Sequence, residues 1–135
     1  MNEYVGDTHA VLWGLFAQSR LGKAARALWA TIGSGAVKIY VPAIAVSEMI
    51  MVVEKQRLPG VTMPQLLIEL RLMEQSASYE FLPLTHDLAI TSRTLTVIPD
   101  IFDRLIIAEA LRLNLPLITC DSVIHKSGVV NVIWD

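Results

Sequence analysis

The chain has 135 residues, of which 53% are hydrophobic and 18% charged, and its formal net charge is −2 at pH 7. These values exclude a disordered chain and predict one domain, residues 1–135, with a well-filled core and an apolar surface left for an oligomer or an obligate partner. The N-terminus lacks a signal peptide and no apolar run approaches the roughly 18 residues of a membrane span, so we expect a cytoplasmic protein without membrane association. The single cysteine, Cys120, agrees with a reducing compartment.

The first predicted elements are a short buried strand, Tyr4-Val5-Gly6, and a helix that opens at Asp7-Thr8. The apolar residues of this helix share one face: Val11, Leu12, Leu15 and Phe16. Asp7 therefore lies at a strand-to-helix junction. An aspartate there is also an ordinary helix N-cap, and both interpretations are open.

In the middle of the chain, the residue pattern predicts three helices, one strand and a turn. They are a helix over 22–32 ended by Gly33-Ser34-Gly35, a strand over 37–41, a helix over 43–56, a turn at 58–60 and a helix over 63–75. The basic residues of the 22–32 helix face either RNA or water.

The last part of the chain continues the alternation. It predicts a strand over 79–84, a short helix over 87–95, a helix from about 101, a strand over 115–118, a helix or turn, and a closing edge strand over 131–134. Alternating strands and helices indicate an α/β fold, here a single three-layer α/β/α domain with a mostly parallel central sheet.

Glu48 is the first residue whose chemistry needs an explanation. From Val41 through Val53 only Ser47 and Glu48 are polar, so the pattern predicts a helix that is largely buried. A buried carboxylate costs several kcal/mol unless a cation or hydrogen-bond donors compensate it. Within the helix no Lys or Arg lies three or four residues away, which leaves a metal-directed role, a distant arginine, or a position at the edge of the buried face.

Three aspartates join Glu48 as candidates. Asp7 and Asp121 follow predicted strands, where ligands bind in open α/β sheets, and Asp103 lies in the first turn of the helix that Pro99 and Asp100 introduce. Each has an ordinary explanation as a helix cap or a turn residue. Leaving these four out of the 13 acids leaves nine acids against 11 bases, and an acidic pocket in a mildly basic remainder suits a metal site that handles a polyanion.

Clustered carboxylates favour a particular metal. They repel one another unless a divalent cation neutralises them, and oxygen ligands select Mg²⁺ or Mn²⁺. Such an ion, held by carboxylates and water, is the usual apparatus of phosphodiester hydrolysis. His9, His86 and His125 form no competing metal cluster, and the hydroxyl residues lack the base needed for serine hydrolysis.

Four segments in order resemble the motifs of PIN-domain ribonucleases, specifically VapC-like toxins of type II toxin–antitoxin systems. They are Asp7 to Trp13, Val46-Ser47-Glu48, Asp100 to Ala110, and Leu117 to Asp121, with Val132-Ile133-Trp134 similar to the closing strand. Two positions depart from the family pattern: Gly6 stands where an aliphatic residue is commoner, and Ile101 replaces a frequent proline.

The resemblance implies a Mg²⁺- or Mn²⁺-dependent endoribonuclease acting on RNA. Its catalytic acids map onto Asp7, Glu48, Asp103 and Asp121, with Asp7, Asp103 and Asp121 as metal ligands. Further residues have lesser expected roles: Asp100, Thr119 and Thr8 support the site, and Arg104 contacts a phosphate or forms a salt bridge. The resemblance also implies a homodimer or higher oligomer, and a cognate antitoxin that inserts a peptide into the active-site groove.

Two other functions remain open on sequence. An inactive protein of the same fold would bind RNA or a partner without cutting. A phospho-acceptor signalling domain would need a lysine after a late strand, and the nearest one here is Lys126. A nucleotide-binding Rossmann module is disfavoured because the first strand lacks a glycine-rich phosphate loop.

Overall fold

A sheet of five strands forms the centre of the protein, and the computed structural model describes all residues, 1–135. The strands are β1 (Asn2–Gly6), β2 (Val37–Pro42), β3 (Tyr79–Leu82), β4 (Leu117–Ile118) and β5 (Val132–Ile133). Their order is β3-β2-β1-β4-β5 and every pairing is parallel. The predicted parallel sheet is therefore confirmed, and so is the place of the last strand at a sheet edge.

Seven helices connect and cover these strands. They are α1 (Thr8–Phe16), α2 (Lys23–Trp29), α3 (Ala43–Glu54), α4 (Met63–Glu74), α5 (His86–Ser92), α6 (Ile101–Leu113) and α7 (Ser122–Ser127). Parallel strands need crossover connections, and because these are right-handed, the reversal of strand order at β1 puts helices on both faces of the sheet. None of these helices has the length and hydropathy that crossing a bilayer requires.

The core lies where the strands meet the helices that pack on them. Strand residues from the centre of the sheet are fully buried: Val5, Ile39, Val41, Leu117 and Ile118. Burial on both faces explains why β4 reads as a short apolar run, whereas burial alternates along β2, where Lys38 and Tyr40 are partly exposed. These strands end at one edge of the sheet, which fixes the places of the residues that follow them.

The region after α1 differs from the sequence prediction. A 3₁₀ turn at Gln18–Arg20 was not predicted, and α2 ends at Trp29 rather than at residue 32. The guanidinium of Arg26 donates to the carbonyls of Gln18, Ser19 and Leu21 and so closes the turn. The chain leaves α2 through Gly33 and Gly35, whose φ angles of 91° and 85° favour glycine.

Helix α3 is less buried than the sequence predicted. Only Ala45, Met49 and Val53, spaced four residues apart, are buried, and Met51 is 44% exposed. A helix that packs on a sheet covers a single stripe, so the remaining apolar residues of α3 form surface instead of core. The prediction of a largely buried helix is therefore wrong for the outer half of α3.

Gly14 in α1 allows close packing against α2. A Cβ at Gly14 would overlap Cε2 and Nε1 of Trp29, and the indole is held by a 3.1 Å hydrogen bond from its Nε1 to the hydroxyl of Tyr79. Helix propensity alone predicts that Gly14→Ala stabilises α1 by about 1 kcal/mol. We expect the opposite sign, a loss of about 1–3 kcal/mol from overpacking, measured by urea unfolding. A gain in stability would contradict the packing described here.

Candidate active site

The candidate site lies where β1 and β4 end side by side. Strand order changes direction at β1, and in α/β sheets such a switch point opens a crevice beyond the carboxyl ends of the strands. Asp7 directly follows β1, and its backbone N–H donates to the Ile118 carbonyl at 3.1 Å. Asp121 follows the end of β4 at Ile118 by three residues. The topology therefore places these two carboxylates at the same edge.

Three of the acids cap helices that begin at this edge. Asp7 Oδ1 accepts from the N–H of Ala10 at 2.9 Å and caps α1. Asp100 and Asp121 each use Oδ1 to accept two backbone N–H groups and cap α6 and α7. Capping engages Oδ1 and leaves Oδ2 of Asp100 and Asp121 without a protein donor. The same aspartate can therefore cap a helix and serve as a site residue, so the two interpretations of the sequence are compatible.

Glu48 finds its partner on another helix. Thr8 Oγ1, buried in the first turn of α1, donates to Glu48 Oε1 at 2.7 Å. Glu48 itself is partly exposed and forms no ion pair. The sequence left open an ion pair between Glu48 and a distant arginine, and the structure excludes it. The Glu48 carboxylate instead lies at the edge of the buried face, where it accepts a hydrogen bond from a hydroxyl group.

The electrostatics show that the acids share one environment. Burial, followed by the charges of Asp100, Asp121, Glu48 and Asp7, raises the pKa of Asp103 to about 7. The four charged side chains that raise the pKa of Asp103 are all carboxylates. Asp103 therefore lies within electrostatic range of Asp7, Glu48, Asp100 and Asp121, and these acids give this edge of the sheet an excess of negative charge.

Burial is also the main cause of the shifts at the other two acids. It raises the pKa of Asp7 to about 6, against the opposing effects of the Thr119 hydroxyl, the Ala10 N–H and the His9 imidazole. It raises the pKa of Glu48 as well, and there the Thr8 hydroxyl opposes the rise while the charge of Asp100 adds to it. The hydroxyl, N–H and imidazole groups that favour the ionised forms of Asp7 and Glu48 therefore do not fully offset burial.

The donor set fits a hard divalent cation that keeps water ligands. No three His, Cys, Asp or Glu side chains are arranged so that they could hold a metal ion among themselves. Mg²⁺ commonly binds through one or two carboxylates and retains several waters, so a site of separated carboxylates without histidine or thiolate matches Mg²⁺ or Mn²⁺ and not zinc.

The expected supporting residues occupy different positions. Thr119 is fully buried, accepts the Asp121 N–H through Oγ1 at 3.1 Å, and its carbonyl contacts His125 Nε2 at 2.7 Å. Arg104 instead turns toward the chain before α6 and donates from Nε to the Ile98 carbonyl at 2.6 Å. It forms no salt bridge, and its contact with phosphate stays a prediction.

Residues 4–128 match the PIN domain family. The chain belongs to that family. No curated protein sequence matches it. Among solved structures, the PIN domain resembles VapBC2 from Rickettsia felis bound to a DNA fragment from its promoter, with 16% identity over 98% of this chain and 99% of the other and a TM-score of 0.67.

Two further structures have the same fold. VapC20 from Mycobacterium tuberculosis, described as a toxin that cleaves the sarcin-ricin loop, has 17% identity over 96% of this chain and 98% of the other, with a TM-score of 0.66. A toxin–antitoxin complex from Klebsiella pneumoniae has 19% identity over 96% and 95%, with a TM-score of 0.62. The predicted PIN-like fold is thereby confirmed.

The glycine that departs from the family pattern has a structural reason. A Cβ at Gly6 would lie 2.7 Å from Val11 Cγ2 and 3.1 Å from Ile39 Cγ2, so this PIN domain packs α1 against the sheet where a larger residue would clash. Ile101, the other departure, is the first residue of α6 and is 60% exposed. Neither change removes a carboxylate.

Two residues near the cluster carried no clear signal in the sequence. His9 is exposed, lies near enough to lower the pKa of Asp7 and Glu48, and contacts the ring of Trp13. Burial and then the charge of Asp7 raise the pKa of the Cys120 thiol, which keeps it protonated and unreactive at neutral pH. The spacing of two residues between Asp7 and His9 was the available hint for His9.

The contact between Thr8 and Glu48 leads to a test of stability. Thr8→Val removes the donor while preserving shape, and it leaves a desolvated carboxylate without its partner. We expect a loss of about 1–3 kcal/mol in the free energy of unfolding at pH 8, measured by urea titration. Ser47→Ala, which removes an exposed hydroxyl next to Glu48, serves as the control. Equal stability of the two variants would show that the hydrogen bond contributes nothing.

Proposed function

We propose that this PIN domain is a metal-dependent endoribonuclease that hydrolyses RNA phosphodiester bonds in the cytoplasm, as the toxin of a type II toxin–antitoxin pair. The observation that carries the proposal is the cluster at the switch point of the sheet. Burial, followed by the charges of Asp100, Asp121, Glu48 and Asp7, raises the pKa of Asp103 to about 7. A divalent ion is the partner that such a cluster requires.

Asp7, Asp103 and Asp121 would hold Mg²⁺ or Mn²⁺, directly or through water. The ion would supply activation of a water and stabilisation of charge on the attacking and leaving oxygens. Asp7 and Asp121 are held in place by the N–H groups they cap, and Asp103 stands in the first turn of α6. These residues are thus oriented before substrate arrives, which reduces the reorganisation needed during reaction.

Glu48 and the surrounding helix termini would act on the substrate. The 2.7 Å bond from Thr8 fixes one oxygen of Glu48, and its raised pKa suits a carboxylate that orients the attacking water and accepts its proton. Helices α1, α6 and α7 all begin at this edge, and their N-termini favour the negative charge of a phosphate.

An apolar surface supports the proposed protein partners. Leu67, Ile68 and Leu72 on α4 are 48%, 60% and 56% exposed, and a groove of about 360 Å³ lined by Val46, Ile50, Leu67 and Phe81 runs beside α4. One of the similar structures is described as a toxin–antitoxin complex. We propose a homodimer or higher oligomer and a cognate antitoxin as the partners, to be tested by light scattering of the purified chain.

The test is cleavage of a structured RNA pool by protein that is free of any partner, with Mg²⁺ or Mn²⁺ and with EDTA. Asp7→Asn keeps the helix cap and removes the charge, so it is the matched variant. We expect cleavage that needs the ion and is lost in Asp7→Asn. Cleavage that persists in Asp7→Asn would exclude Asp7 from the site, and cleavage in EDTA would exclude the metal.

A second candidate is a PIN-fold scaffold that binds RNA or a partner without cutting. The observation in its favour is that no three side chains are arranged to hold an ion. Calorimetric titration with Mn²⁺ separates the two functions, because a nuclease must bind the ion and an inert scaffold need not. The phospho-acceptor alternative gains no support from the family match.

A further inference from the structure

A row of aromatic side chains leads away from the acidic cluster. The rings of His9 and Trp13 are 5.5 Å apart between centroids, and those of Trp13 and Trp134 are 5.9 Å apart. The guanidinium carbon of Arg20 lies 5.9 Å from the centroid of the Trp13 ring. His9 and Arg20 are exposed and both tryptophans are partly exposed, so the row is accessible from solvent.

The row begins at the proposed catalytic site. His9 follows Asp7 by two residues, and its charge lowers the pKa of both Asp7 and Glu48. Trp13 lies one helical turn after His9 on α1. The ring of Trp13 then contacts the ring of Trp134. The His9 end of the row is therefore the end next to the carboxylates.

The far end of the row is held rigidly. The carbonyl of Trp134 accepts the N–H of Ala25 at 3.1 Å, and a Cβ at Gly22 would lie 2.7 Å from Trp134 Cδ1. Glycine at position 22 thus lets the indole and its backbone pack directly on the start of α2. A ring fixed in this way loses little conformational freedom when a ligand binds to it.

The surrounding charge favours an anionic ligand. Residues 8–47 contain no Asp or Glu, and all 13 acidic residues of the chain lie before or after this stretch. The same stretch carries four cations, Arg20, Lys23, Arg26 and Lys38. Lys38 pairs with Glu80 at 2.8 Å and Arg26 donates to three backbone carbonyls, so Arg20 and Lys23 are the cations left for a ligand. Arg20 is a row member and exposed Lys23 directly follows Gly22, while Asp135 is the carboxylate that follows Trp134.

Aromatic rings beside cations form a known type of surface for single-stranded nucleic acid. Bases stack on the rings without regard to sequence, and the cations attract the backbone. An apolar peptide would use the rings but not the excess of positive charge. The combination therefore favours RNA over a protein segment as the occupant.

We propose that His9, Trp13, Trp134 and Arg20 form a platform on which unpaired bases of the RNA substrate stack next to the cleavage site. This inference rests on the proposed nuclease function and adds a binding surface for unpaired bases beside the proposed cleavage site. A duplex keeps its bases stacked inside the helix and cannot use the platform.

Binding is tested with a fluorescently labelled single-stranded RNA oligonucleotide in EDTA, where cleavage does not interfere. Trp13→Leu keeps apolar bulk and removes the ring, and we expect its Kd to rise about tenfold, since stacking of one base on an aromatic ring gives changes of this size. Trp13→Phe should retain most of the affinity. Arg20→Ala should weaken binding and its salt dependence, whereas Arg57→Ala, which removes an exposed arginine beyond the end of α3, should have little effect.

Kinetics in Mn²⁺ then separate the platform from the chemistry. In Trp13→Leu we expect KM to rise with Kd while kcat stays near that of the wild type. A blunt-ended duplex of the same length, without a loop, should bind the wild type more weakly than the single strand does. A folded Trp13→Leu protein with unchanged Kd and KM, or equal losses in the Leu and Phe variants, would overturn the platform while leaving the nuclease intact. A wild-type protein that neither binds nor cuts RNA would overturn both.

Discussion

Replacing Asp103 by asparagine should lower the rate of metal-dependent RNA cleavage on the order of 10²–10³-fold, the size of effect seen when one preorganised charge-stabilising group is lost. The same change should raise the thermal stability of the metal-free protein at pH 8. At that pH the Asp103 carboxylate is ionised among like charges that, together with burial, bring its pKa to about 7. A neutral amide of the same shape removes the repulsion.

The opposite signs of these two effects make the experiment decisive. A residue that serves packing alone would lose stability when changed, and any loss of activity would follow the loss of fold. Asp87→Asn is the matched control, since Asp87 is also in the first turn of a helix but its side chain is 88% exposed. If Asp103→Asn cut RNA at the wild-type rate, Asp103 would have no part in catalysis.

Stability of the metal-free protein should fall as the pH rises from about 4 to about 7. Both Asp7 and Asp103 have an ordinary pKa of 3.8, and in the folded protein these become about 6 and about 7. Between these values the folded state binds more protons than the unfolded state, so each increase in pH favours unfolding. Above about pH 7 both groups are ionised in both states and the decline should level off.

Mg²⁺ or Mn²⁺ should reverse this trend, because the ion binds the ionised carboxylates. Melting temperatures measured across this pH range in EDTA and in excess Mn²⁺ should coincide near pH 4 and separate as the pH rises. In the Asp7→Asn, Asp103→Asn double variant the slope in EDTA should flatten and the effect of Mn²⁺ should shrink. A metal-free protein whose stability rises over the same range would show that these two groups are not destabilised by ionisation.

The sheet could be predicted from the sequence because its signals are local. Short apolar runs such as Leu115 to Ile118 indicate strands buried on both faces, and the Pro and Asp residues before α6 mark its start. The observed start of α6 at Ile101 agrees with that prediction. Strand ends at one edge then bring Asp7 and Asp121 together without any further information.

What the sequence could not provide depends on contacts between distant residues. Thr8 and Glu48 are 40 residues apart, and their hydrogen bond has no signature in either segment. The exposed side of α3 was unpredictable for the opposite reason, since an apolar residue has the same character whether it faces a core or an open groove. Arg104 likewise takes a backbone carbonyl as its partner, which no residue spacing predicts.

Because three of the acids cap helices, the replacements that evolution would accept at their positions are restricted. Asp7, Asp100 and Asp121 each hold the start of a helix through Oδ1, so natural selection for folding would act on them independently of any selection for the proposed cleavage. A lineage that abandoned cleavage would be expected to drift at Asp7 and Asp121 toward Asn or Ser, which cap equally well, and not toward Ala or Val. Asp103, which caps nothing, would be free to vary more widely, so the pattern of replacements at these positions would show in which descendants the proposed cleavage is under selection.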